Sequence, residues 1–220
     1  SNPDLNIKLD IANGSIAATQ FQNIPVENLH TKTELNLPQL NPDSLTVTIP
    51  DFAFNLGKGH AKGKALYKFP MFVDAGLNAN LNVTQLLQTL AISGMQLKGD
   101  VVLNGTAKGN YTTRSHKNKQ GTLVTEITEI PKFNVQANWT NGYFKWSKMP
   151  LALDHLAFDL NAENTSGNYK TTKVDLKNID IKAVDDYVKG RLKIDNLIDF
   201  NTDTDLKAFV NLSNVKKIFP

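Results

Sequence analysis

Val174-Asp175-Leu176-Lys177-Asn178-Ile179-Asp180-Ile181, followed by Lys189-Gly190-Arg191, restates a pattern met earlier in the chain. The first writing is Val47-Thr48-Ile49-Pro50-Asp51-Phe52-Ala53-Phe54 with Lys62-Gly63-Lys64, 127 positions upstream (Val47 against Val174). Each copy has apolar residues at i and i+2, a two-residue gap, then apolar residues at i+5 and i+7. Alternation with period two is the signature of a strand with one apolar face, and the gap shifts its phase by one. A β-bulge or a tight corner does this, because one extra residue restores the same face to the apolar set. The chain therefore reads as a β-rich unit written twice: a first module over 1–140 and a second, shorter one over 141–220.

Outward from this stretch the same periodicity recurs. Leu5, Ile7, Leu9 and Ile11 alternate with polar residues up to Asn13-Gly14. Asn-Gly tolerates positive φ at both positions and predicts a hairpin turn, with Ile16 and Ala18 opening the return strand. Asn141-Gly142 repeats the signal and is expected to open the second copy. Alternation continues through Leu29 to Leu37, Ala61 to Phe69, Val73 to Leu81 and Leu156 to Ala162, with Pro38 and Pro42 as breaks. Leu86, Leu87 and Leu90 fall at helical spacing after Asn82-Val83-Thr84, where Asn82 or Thr84 supplies the cap. Val215, Ile218 and Phe219 after Ser213-Asn214 predict a matching second helix. Arg114 to Gly121 is polar and basic, as in an exposed hairpin tip. The expected fold is all-β: an antiparallel curved sheet, or a sandwich, built from an internal repeat with two short helices.

Composition excludes little but points one way. The 220 residues are 40% hydrophobic and 20% charged, with a net charge of +3 and no cysteine. That is a folded chain without the concentrated basic charge of a nucleic-acid binder. No run reaches the ~20 apolar residues of a membrane-spanning helix.

Candidate chemical motifs fail on spacing. His30, His60, His116 and His155 lack metal-ligand spacing, although His30 and His155 each follow a proline by five residues, as if related by the repeat. Gly57-Lys58-Gly59-His60-Ala61-Lys62-Gly63-Lys64 lacks the four-residue interval of a phosphate loop and continues into Ala65. Asp199, Asn201, Asp203 and Asp205 open like a calcium loop but lack its glycine and final glutamate. Trp139, Tyr143, Phe144 and Trp146 form the densest aromatic group, read as a plug between the two copies, with an interfacial patch that meets lipid as the alternative. No catalytic residue, cofactor or metal is assigned, and a non-enzymatic role is expected.

Three stretches carry a resemblance. Leu97-Lys98-Gly99-Asp100-Val101-Val102-Leu103-Asn104-Gly105, the strand-then-helix of Leu77 to Leu90, and the short strands from Leu156 to Ile194 resemble the C-terminal region of AsmA-like proteins. That family is related to TamB and the bridge-like lipid transfer proteins. The resemblance implies a periplasmic, membrane-anchored bacterial envelope protein, its N-terminal anchor outside this sequence. It also implies β-modules whose apolar groove guides phospholipid acyl chains in outer-membrane lipid homeostasis or assembly. Other envelope partners are not specified.

The residues argue in parallel. A sheet with one apolar face must cover it with a second layer or a ligand. Val47, Ile49, Phe52, Phe54, Val174, Leu176, Ile179 and Ile181 are the ligand-facing candidates. The alternative is a closed β-sandwich that serves as a scaffold or interaction module.

Overall fold

A computed structural model describes residues 2–17, 25–90, 94–149 and 151–211. Period-two alternation becomes strand along nearly all of them. In chain order the elements are β1 (Leu5–Ile16), β2 (Val26–Leu37), β3 (Thr46–Leu56), β4 (Gly59–Lys68), β5 (Phe72–Asn82), α1 (Val83–Leu90) and β6 (Met95–Asn110). Then follow β7 (Thr112–Lys117), β8 (Leu123–Glu129), β9 (Lys132–Trp146), β10 (Leu153–Asn164), β11 (Lys173–Ala183), β12 (Asp186–Ile194) and β13 (Thr202–Phe209). Eleven strands form one open antiparallel sheet in the order β1-β2-β3-β4-β5-β6-β9-β10-β11-β12-β13. The basic tip is the separate hairpin β7-β8. Of the two arrangements expected, the single sheet is formed and the sandwich is not.

The repeat is carried by the backbone. β2 and β10, then β3 and β11, begin and end at equivalent positions, and each pair is linked through a 3-10 turn, Pro42–Ser44 or Tyr169–Thr171. Asn41 accepts from the Asp43 amide at 3.0 Å, and Asn168 from the Lys170 amide at 3.0 Å, so the same side chain caps both turns. The order β1 to β5 is matched by β9 to β13, and the copies are sewn together where β6 pairs with β9. β9 itself runs unbroken through positions 140 and 141.

The phase-shifting gap is a bulge in both copies. Pro50 and Asp51 of β3 oppose the single Lys64 of β4, and Lys177 and Asn178 of β11 oppose the single Arg191 of β12. Gly63 and Gly190 lie within strands just past these bulges. A Cβ on Gly63 would run into the Gly76 carbonyl, and one on Gly190 into the Asp205 carbonyl. These are close backbone approaches that glycine alone permits.

The Asn-Gly pairs do not make hairpins. Asn13 and Asn141 take positive φ (56° and 52°), yet β1 continues to Ile16 and β9 to Trp146. Ala12 and Asn13 oppose His30, and Thr140 and Asn141 oppose Ala157, so both pairs are bulges. The return strand begins at Val26, and Ala18 lies outside the described residues. A bulge needs the same left-handed residue as a turn, and pairing beyond it decides which one forms.

Helix α1 is capped as expected, with Asn82 Oδ1 accepting from the Gln85 amide at 3.3 Å. It packs against β5 and β6. The expected second helix falls on residues 213–219, outside those described. Buried hydrophobic side chains among the described residues are few: Leu56, Ala61, Ala79 and Val83 in the first copy, and Leu156, Ile179 and Ala183 in the second.

Candidate functional site

Strand register assigns every side chain to a face. Directly opposed residues in antiparallel strands share a face, so each cross-strand row can be followed over the sheet. One row runs Phe54, Ala61, Ala79, Leu103, Ala137, Leu160, Leu176, Leu192. A second runs Leu5, Leu37 at one edge, and a third Val47, Tyr67, Val73 nearby. The bulges keep Ile49 with Phe52 and Leu176 with Ile179 on this face. The result is an apolar surface that spans all eleven strands. At ~4.8 Å per strand the sheet is about 48 Å wide.

The opposite face is polar. It carries Lys62, Lys64, Asp74, Asn104, Asn138, Asp159, Lys189 and Arg191 at the intervening positions. In β6 the alternation is complete: Val101, Leu103, Gly105 and Ala107 are partly buried, while Val102, Asn104, Thr106 and Lys108 are exposed. Cross-strand ion pairs cover it, including Lys8–Glu34 (3.1 Å), Lys108–Asp74 (2.9 Å), Lys173–Glu163 (3.2 Å) and Lys189–Asp180 (2.9 Å). At such exposure they set register more than they stabilise. The Lys108 ammonium holds the Asp74 carboxyl below its ordinary pKa, and the Lys189 ammonium does so for Asp180. Asp159 is lowered by hydrogen bonds from Asn138 (2.5 Å) and Asn178 (2.5 Å), one from each neighbouring strand.

All eight candidate residues lie on the apolar face. Val47, Ile49, Phe52 and Phe54 form one group on β3, with the rings of Phe52 and Phe54 stacked 6.5 Å apart. Val174, Leu176, Ile179 and Ile181 form the other on β11. Six strand steps, about 29 Å, separate the groups, so they are two patches of one surface. Ile179 is buried and the other seven are partly exposed. Between them lie Leu103, Val135, Ala137 and Leu160, whose membership depends on how β6 pairs with β9. Toward the edges exposure rises, with Ile7 and Leu9 at 49% and Leu206 at 41%.

The remaining sequence candidates separate. Trp139 donates to the Lys98 carbonyl (3.2 Å) and meets Phe158 edge-on, in a notch left by Gly99 and Gly142. Tyr143 instead lies under Lys98 and Trp146 under Lys148, so the aromatic group is not one plug. His30 bonds Asp51, and His155 lies 3.7 Å from Asp180. They are not repeat equivalents: the bulge partner of His30 in the second copy is Ala157. No group of three or more His, Cys, Asp or Glu able to hold a metal occurs among the described residues. Asp203 is engaged by Arg191 at 3.0 Å, on an extended strand. Among the described residues no helix is long and apolar enough to cross a membrane.

Compared with protein-family models, with curated proteins and with solved structures, the chain matches none of them.

Proposed function

We propose that the chain is a non-enzymatic lipid-binding module of AsmA-like type, in which the apolar face of the sheet receives phospholipid acyl chains. One observation carries this reading: the apolar face is continuous over eleven strands and has no second layer in the described residues. The accessible surface is 14107 Å². A compact monomer of this length exposes roughly 10,000 Å². Soluble monomers rarely leave contiguous apolar patches beyond a few hundred Å² uncovered, so the face calls for an apolar partner. Acyl chains suit it because the face is mainly aliphatic and aromatic, with uncharged threonines (Thr31, Thr33, Thr202, Thr204) toward its edges and the charges on the far side. Envelope lipid homeostasis, a periplasmic location and a membrane-anchored parent protein belong to the same proposal and rest on the resemblance alone.

The test uses a fluorescent acyl-chain probe and lipid analysis by native mass spectrometry. Wild type is expected to bind the probe and to retain lipid after gentle purification. Phe54→Asp with Ile181→Asp should lower probe affinity at least tenfold while circular dichroism stays β-rich. Leu77→Asp, at a site already 36% exposed, is the milder variant should the first pair unfold. Undiminished probe binding by folded variants would sink the reading.

A further inference from the structure

The two copies form the same recess on the polar face, beside the β3 bulge and beside the β11 bulge. In the first copy Asp51, Ala53, Lys62, Lys64 and Asn78 line a recess of about 520 Å³. Asn178, Asp180, Lys189 and Arg191, the equivalents of the first four, line one of about 500 Å³ in the second together with Asp205. The cations are kept, but two of the carboxylates around them are not. Lys189 is paired with Asp180 at 2.9 Å and Arg191 with Asp203 at 3.0 Å. Asp180 takes the place of Ala53, whereas β13 is set two residues along, so that Asp205 faces Arg191 as Gly76 faces Lys64 and Asp203 takes the place of Asp74. Lys62 and Lys64 therefore stand where two neutralised cations stand in the second copy, and neither forms an ion pair among the described residues.

The nearby carboxylates have other partners. Asp51 is bonded to His30, and Asp74 to Lys108, with Lys64 acting on Asp74 more weakly through its charge. Lys64 lies across Gly76, its Cγ and Cε 3.8 and 3.9 Å from where a Cβ would be. Lys62 and Lys64 are two residues apart on one strand, about 7 Å, so both ammonium groups can reach one small anion. Asn78 opposes Lys62, Asn104 opposes Asn78, and Thr106 opposes Gly76, adding neutral donors on the same face. Lysine acts as a point charge toward phosphate, whose several oxygens take more donors than a carboxylate can.

We propose that this first-copy recess binds a phosphate group through Lys62 and Lys64, and that the second-copy recess is closed to anions by Asp180 and Asp205, which replace Ala53 and Gly76. The site is on the face opposite the acyl-chain surface and does not depend on that reading.

The test titrates inorganic phosphate at constant ionic strength, following lysine side-chain NMR signals, beside co-sedimentation with phosphatidylcholine vesicles containing phosphatidylglycerol. Saturable shifts are expected at Lys62 and Lys64 without comparable shifts at Lys189. Ala53→Asp with Gly76→Asp copies the second recess and should weaken binding at least tenfold. The space at Gly76 accepts a side chain, and Lys62→Gln with Lys64→Gln gives an independent variant of the same prediction. Binding of free phosphate alone assigns the site to soluble phosphate compounds. Vesicle binding that both variants lose assigns it to lipid headgroups. No binding of either probe, or variants that bind like wild type, would overturn the proposal.

Discussion

Val184 shows what a single residue costs when a repeat drifts. It occupies φ 57°, the same value as Gly57 at the equivalent place in the β3-β4 turn. Glycine reaches this conformation freely, whereas a β-branched residue there is strained. The strained backbone is held by the Val184 amide, which donates to Asp154 Oδ2 at 2.8 Å. Val184 is 57% exposed, so removing its side chain forfeits little burial. Val184→Gly should stabilise the protein by about 0.5–1 kcal/mol, the relieved strain less the added freedom of the unfolded chain. A urea midpoint that rises at constant slope is the expected result. A lower midpoint would mean that the valine makes a packing contribution larger than its strain.

At the scale of elements, the bulge and the glycine beyond it act together. The bulge brings Phe52 onto the apolar face, and its ring lies 2.9 Å from where a Cβ of Gly63 would be. Gly63→Ala must displace both that ring and a backbone carbonyl, at a cost of about 1–3 kcal/mol. Gly190→Ala should cost at least as much, since φ there is 136°. Gly76→Ala is the control: its nearest neighbours are at 3.8 Å and its φ is ordinary, so the effect should be small or slightly stabilising. Denaturation midpoints measure all three, and equal losses at positions 63 and 76 would rule out close approach as the reason for the glycine.

The whole molecule has one polar face, and its carboxylates make stability depend on pH. Asp74, Asp159 and Asp180 all have lowered pKa values, so each binds its proton less readily folded than unfolded. Their contribution is complete above the unfolded value of about 3.9 and is lost as pH falls through the lower folded values. Stability should therefore drop from about pH 4 downward. Asp159→Asn should flatten that limb, because Asp159 alone is held by amides from both neighbouring strands. Urea midpoints between pH 7 and pH 2 test this, and an unchanged acid slope in the variant would exclude Asp159 as a contributor.

Much of this was legible in the residues themselves. The alternation of Val47 to Phe54 and Val174 to Ile181 sufficed for strands, for the bulges and for the division into an apolar and a polar face. The Asn82 cap was equally local. These features depend on neighbours a few positions apart, which a single sequence displays. Asn13-Gly14 was misread because positive φ serves a bulge as well as a turn, and only the partner strand distinguishes them. The likeness of His30 and His155 dissolved for the same reason, once register paired His30 with the β1 bulge. Pairing of Lys189 with Asp180, and the lack of such a partner for Lys62 among the described residues, needed neighbouring strands side by side. Tertiary structure alone decided that β6 joins β9 to make one sheet of both copies, and that no second layer covers it among the described residues. Period-two patterning states which side of a strand avoids water, but what lies against that side is set by contacts between residues far apart in the chain.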